Sequence, residues 1–185
     1  DWKRTLGATV TMLTGGNDSY GGSTITQQML KNMTGENQNT INRKVKEIFV
    51  ATEMEKKYSK DQILEFYINN VFFANGYYGI EAASRGYFSK SASDLNLAEV
   101  AFVCSIPNRP QSYDPLEHFD NTVKRKNRIL DQMLSQKLIT AAEYSDAYYS
   151  DIVMKPAKEI KNQNYLTTYA VSCATKALMQ KQGFE

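Results

Sequence analysis

Two short stretches of this chain gather the residue types that grip anions. The first is Gly21-Gly22-Ser23-Thr24-Ile25-Thr26-Gln27-Gln28, followed by Lys31. Two glycines admit close backbone approach, and Ser23 or Thr24 caps a helix. The free N–H groups and positive dipole end of that helix form a seat for an anion. The Ser, Thr and Gln side chains add neutral donors. Lys31 follows Gln27 at i+4 and Gln28 at i+3, close to both on the helix surface. A capped helix without a ligand accounts for the same residues.

The second stretch is Arg43-Lys44-Val45-Lys46-Glu47. At roughly 100° per residue, Arg43, Lys44, Glu47 and Ala51 share one helix face, opposite an apolar stripe of Ile41, Val45, Ile48 and Phe49. Surface ion pairing, worth about a few tenths of a kcal/mol, is one account of this face. The other is a carboxylate flanked by cations that hold a phosphate or diphosphate. A third stretch runs from Lys60 through Glu65, Tyr67 and Asn70 to Gly79-Ile80-Glu81-Ala82-Ala83. Most of its apolar positions read as core, with Glu65 and Asn70 as buried hydrogen-bonding residues.

Composition narrows the chemistry to these groups. With 1 His and 2 Cys, a multi-histidine or cysteine-cluster metal site lacks ligands. A Ser-His-Asp triad would have to use His118, in the turn-like stretch Asp114-Pro115-Leu116-Glu117-His118. What remains is carboxylates, lysines, arginines and amides. The 22 basic and 20 acidic residues leave a formal +2, too little excess for a nucleic-acid binder. The run Gly16–Ser23 imitates a phosphate-binding loop but has Gly22 at the lysine position and no apolar strand before it. Lys124-Arg125-Lys126-Asn127-Arg128, without interleaved aromatics, reads as a solvated helix face. No acidic cluster has EF-hand spacing, and Cys104 and Cys173 read as buried thiols.

The elements that must position these groups are helices. At 42% hydrophobic residues and only 10 Gly and 4 Pro, the 185 residues favour a helical domain with a core. Periodicity places helices over 2–13, from Ser23-Thr24 to about Met33, and from Ile41 through Thr52. Capping pairs Ser59/Gln62, Asn96/Glu99 and Thr140/Glu143 open three more. The helix after Asn96 is expected to run through Val100–Ile106 until Pro107. Val123, Leu130, Met133 and Leu134 mark another, and a last one spans about 165–182 after a polar stretch, 155–164. Loops are expected at 14–22 and 34–40. No run of apolar residues is long enough to span a membrane. The chain opens on Asp1-Trp2-Lys3 in helical rhythm without an initiator Met, which reads as an excerpt of a longer protein.

In this order the blocks resemble the peptidoglycan glycosyltransferase domain of family 51, found in class A penicillin-binding proteins and monofunctional transglycosylases. The matching stretches are GGSTITQQ (21–28), RKVKE (43–47), KDQILEFYINN (60–70) and KRKNRILDQM (124–133), with NGYYGIEAASRGYFSKS (75–91) and IPNRPQSYDP (106–115). The resemblance implies an all-α, lysozyme-like bilobal fold with a membrane-facing jaw. It implies polymerisation of lipid II into β-1,4 glycan strands, with inversion and release of undecaprenyl diphosphate. By resemblance, Glu47 is catalytic, assisting the diphosphate directly or through a divalent ion, Mg2+ or Mn2+, with no organic cofactor. Ser23, Thr24, Gln27, Gln28, Lys31, Arg43 and Lys44 are the implied substrate-binding set, with Arg43 as well as Arg125 and Arg128 in supporting roles.

The implied partners are lipid II, the growing glycan strand, the membrane surface and a C-terminal transpeptidase domain, and no nucleic acid. The implied location is the extracytoplasmic face of a bacterial cell membrane. Residues 1–154 correspond to the glycosyltransferase domain and 155–185 to a linker and terminal helix. Two departures stand out. The family's first motif, a Glu-Asp pair that carries the principal general base, is absent, its place falling just before Asp1. The fold is therefore expected to be N-terminally truncated and the chain alone inactive. Asn39 also stands where the family commonly has an arginine. The alternatives are a non-catalytic module for lipid diphosphate or glycan, and a lysozyme-like glycan-cleaving enzyme.

Overall fold

The computed structural model describes residues 23–34 and 40–155. The expected helices over 2–13 and 165–182, the loop 14–22, most of the loop 34–40, and Cys173 lie outside the described residues. The fold is all-α. Among the described residues there are α-helices and two short 3-10 turns but no strand, only an isolated antiparallel bridge between Phe72 and Tyr78. The chain divides into two compact units, Asp1–Val71 and Phe72–Glu185.

In the first unit, α1 (Ile25–Thr34), α2 (Ile41–Lys57) and α3 (Lys60–Asn70) are described. Thr24, not Ser23, caps α1. Its Oγ1 accepts the Gln27 N–H at 3.2 Å, while Gln27 Oε1 accepts the Thr24 N–H at 3.3 Å. This is a reciprocal capping box. Thr40 caps α2 by accepting the Arg43 N–H, and the expected Ser59/Gln62 box opens α3. α1 packs on both other helices, with Met29, Ala51 and Ile63 in the interior.

The apolar faces of α2 and α3 run against expectation. Val45 is 59% and Phe49 67% exposed, while Glu47 on the opposite face is 9% exposed and Ala51 4%. In α3 only Ile63 is buried, and Leu64, Phe66, Ile68, Glu65 and Asn70 are exposed. Polar partners on α1 explain the inversion of α2: they engage the charged face, and the apolar stripe is left outward. α3 turns one face to α1, and among the described residues most of its other apolar positions stay exposed, Phe66 meeting only the edge of the Tyr58 ring at 5.7 Å between centroids.

The second unit holds α4 (Ile80–Phe88), α5 (Leu97–Val103), α6 (Phe119–Ser135) and α7 (Ala141–Tyr149), with 3-10 turns at Ala92–Asp94 and Ile106–Asn108. Both expected capping boxes are present, Asn96/Glu99 on α5 and Thr140/Glu143 on α7. The helix expected to reach Ile106 stops at Val103, and Pro107 lies inside the following 3-10 turn. Tyr87, Phe88, Phe102, Ile106 and Leu130 are at most 2% exposed. Each ring or branched chain so buried contributes about 1.5–3 kcal/mol. Leu130, Ala98, Ala101 and Ala147 join α5, α6 and α7 in one cluster.

The loop before α4 turns sharply. Ala74, Asn75 and Gly76 take φ of 63°, 48° and 77°, and Gly79 takes 84°. Such backbone is unfavourable for the two non-glycine residues. Asn75 Nδ2 donates to Tyr87 Oη at 3.0 Å and to Asp114 Oδ1 at 2.7 Å, and Tyr87 Oη donates to the Phe73 carbonyl at 2.7 Å. These bonds hold the turn.

Two further expectations are corrected. The basic run on α6 is not uniformly solvated: Lys126 is 1% exposed and donates to the Ala147 and Tyr148 carbonyls, each at 3.1 Å. It satisfies backbone acceptors at the end of α7 that would otherwise lack donors. The Arg125 guanidinium lies 5.5 Å from the Tyr113 ring centroid, while Lys124 and Arg128 remain exposed. Cys104 is exposed at the end of α5. It is the one exposed position between Val103 and the equally buried Ser105 and Ile106.

Candidate active site

The capping geometry of α1 and the i+3 and i+4 spacing on α2 bring one cluster together. Thr40 fixes the start of α2, so Arg43, Lys44 and Glu47 fall on the face turned to α1. Arg43 Nη1 lies 2.6 Å from Glu47 Oε2, and Lys44 Nζ 2.6 Å from Glu47 Oε1. Their side chains are 14%, 15% and 7% exposed for Arg43, Lys44 and Glu47 respectively. Lys44 Nζ also donates to Gln27 Oε1 at 3.0 Å and to Ser23 Oγ at 2.9 Å. These are charge-assisted bonds in a partly dehydrated setting, stronger than exposed pairs.

The other candidate residues take different places. Thr24 is the helix cap. Gln27, at 4% exposed, is an interior side chain serving both the cap and Lys44. Gln28 is exposed, donating to the Ser23 carbonyl at 3.3 Å and accepting from Tyr67 Oη at 3.4 Å. Lys31 is exposed in the last turns of α1, and no bond joins it to the cluster among the described residues. Arg125 and Arg128 belong to α6 of the second unit.

Two residues outside the expected site set also shape this geometry. Tyr67 of α3 reaches Gln28. Glu55 of α2 accepts from the buried Thr26 Oγ1 at 2.6 Å, tying α1 to the far end of α2. Glu55 lies eight positions beyond Glu47, two helical turns along the same face, which is the signal that could have found it.

The donor set around Glu47 does not fit a divalent ion. Both carboxylate oxygens face a cation at 2.6 Å, and a metal placed there would meet two positive charges. Among the described residues no group of three His, Cys, Asp or Glu side chains could complete a coordination sphere. What the arrangement offers instead is two fixed cations backed by a carboxylate, with the neutral Ser23 hydroxyl at the solvent side. That suits an anion with several oxygens.

The family model described as Transglycosylase matches residues 1–134. This chain belongs to the transglycosylase family. Penicillin-binding protein 4 of Bacillus subtilis (strain 168) is 39% identical over 166 residues, covering 89% of this chain and 26% of that protein. Penicillin-binding protein 1A of Vibrio cholerae serotype O1 is 38% identical over 148 residues, covering 80% of this chain and 18% of that protein. Among solved structures, Penicillin-Binding Protein 1A from Haemophilus influenzae aligns with a TM-score of 0.52 at 26% identity, covering 86% of this chain and 20% of that one. This chain thus spans about a quarter or less of the length of these relatives. It is a glycosyltransferase domain of the kind found in class A penicillin-binding proteins.

Proposed function

We propose that this domain polymerises lipid II, transferring a growing glycan strand onto an acceptor sugar hydroxyl with inversion and expelling undecaprenyl diphosphate. The observation that carries this reading is the Arg43–Lys44–Glu47 cluster. Breaking the glycosidic bond places charge on the departing diphosphate, and fixed cations in a partly dehydrated site lower the barrier to it. Lys44 and Arg43 supply the charge. Glu47 holds both in place, and with each oxygen already facing a cation, removal of the acceptor proton falls to another carboxylate. A metal is left out of this mechanism, since the donor set at Glu47 does not suit one.

The exposed apolar side chains of the first unit, Val45, Phe49, Leu64, Phe66 and Ile68, support a membrane surface as partner, where a lipid-linked substrate resides. No helix among the described residues is long and apolar enough to cross a membrane. The cation cluster also favours a transferase over a glycan-cleaving enzyme, whose neutral substrate has no use for it. In the full-length protein we place the domain outside the cytoplasmic membrane, ahead of a transpeptidase domain.

Lipid II polymerisation measured on this chain and on one extended upstream tests the reading. Glycan strands made from lipid II by either form are the expected result. Release of new reducing ends from purified glycan, without polymerisation, would contradict it.

A further inference from the structure

An ammonium group has three protons to donate, and in the free domain Lys44 has spent all of them. Its acceptors are Ser23 Oγ at 2.9 Å, Gln27 Oε1 at 3.0 Å and Glu47 Oε1 at 2.6 Å. A phosphate oxygen therefore gains a bond from Lys44 only where one of these partners withdraws. The partners are unequal. Glu47 is charged and 9% exposed, and Gln27 is 4% exposed and also committed to the Thr24 N–H. Removing either leaves a buried polar group without its partner, a cost well above that of an ordinary hydrogen bond. Ser23 is neutral and exposed, and its hydroxyl turns to water at little cost.

We propose that Ser23 is a placeholder: its hydroxyl occupies the third donor of Lys44 in the free domain and yields it to an oxygen of an entering diphosphate. Gln27 and Glu47 keep hold of Lys44 throughout, so the ammonium stays aimed while its outward proton changes partner. Gln27 is then a positioning residue, acting through Lys44. The exchange replaces a neutral acceptor by an anionic one, which strengthens the bond. The inference rests on the diphosphate seat proposed above, and adds that part of the binding free energy is spent in opening it.

The test is calorimetric titration of the full 185-residue chain with inorganic pyrophosphate, alongside Ser23→Ala, Gln27→Glu and Lys44→Met. Ser23→Ala removes the competing acceptor from an exposed position and is expected to bind about two- to tenfold more tightly. Gln27→Glu keeps an acceptor for the Thr24 N–H but pairs Lys44 with a second carboxylate, so its binding weakens, with a thermal melt checking that the variant is folded; unchanged binding in the folded variant removes Gln27 as a positioning residue. Unchanged or weakened binding by Ser23→Ala overturns the placeholder role while Lys44→Met still abolishes binding. If the wild-type chain takes up no pyrophosphate, or Lys44→Met binds as well as wild type, the diphosphate seat itself is wrong.

Discussion

The amide oxygen of Gln27 lies 3.0 Å from Lys44 Nζ and 3.3 Å from the Thr24 backbone nitrogen. One side chain thus links the cap of α1 to the cation of α2. Helix start and charged cluster are parts of one arrangement, and damage to the first should reach the second. Thr24→Ala is expected to cost about 1 kcal/mol of stability through the lost cap, and to lower glycan synthesis more than a comparable cap loss elsewhere. Thr140→Ala, at the cap of α7, is the control in denaturant unfolding and polymerisation assays. Equal losses of activity in both would separate the cap from the cluster.

Asn75 combines a φ of 48° with two hydrogen bonds from one amide nitrogen. Asn75→Ala should destabilise the domain by about 2–4 kcal/mol, combining left-handed strain with the lost bonds. Asn75→Gly relieves the strain and should cost about 1–2 kcal/mol. Urea unfolding of the two variants distinguishes backbone from side chain, and equal losses would mean that strain has no share.

Gly86 lies against an aromatic wall. A Cβ there would come 2.2 Å from Tyr77 Cζ, and the Tyr77 ring is itself packed edge-on against Tyr87 at 5.1 Å between centroids. Gly86→Ala is expected to lower stability by about 1–3 kcal/mol through overpacking. Pairing it with Tyr77→Leu should recover part of that loss, and a double variant no better than the sum of the two would argue against the clash.

Lys126 is a buried cation that donates to two carbonyls at the end of α7. Lys126→Met leaves them without that donor and should cost about 1–3 kcal/mol at neutral pH. Burial lowers the pKa of the ammonium below its ordinary 10.5. As pH rises between the lowered value and 10.5, the unfolded chain holds the proton longer than the native one, so the contribution of Lys126 to stability rises with pH. The gap between wild type and Lys126→Met should therefore widen towards pH 10.5 in unfolding measured across that range. A narrowing gap would show that the sign is wrong.

Much of the architecture was legible because caps are local chemistry. The boxes at Ser59/Gln62, Asn96/Glu99 and Thr140/Glu143 each need two side chains within one turn, and all three open helices where expected. The cluster of Arg43, Lys44 and Glu47 was legible for the same reason, since i+3 and i+4 spacing fixes it. Which face of α2 turns inward was not. Apolar periodicity points to Val45 and Phe49, yet the partner supplied by α1 is a polar row, and only the tertiary pairing of Ser23 and Gln27 with Lys44 decides the matter. Lys126 misled for a similar reason: its acceptors lie 21 and 22 residues away, beyond any local pattern. Tyr67 and Glu55 likewise acquire their roles from α1.

The most direct test of the account is the polymerisation rate of lipid II by an active form containing this domain, with Lys44→Met and Glu47→Gln compared with wild type. If Lys44 stabilises the departing diphosphate and Glu47 holds it there, each variant should lose about 10²–10³-fold in rate. The double variant should then be little worse than either, since the two act as a unit. Single variants within about threefold of wild type would contradict the assignment of the reaction to this cluster.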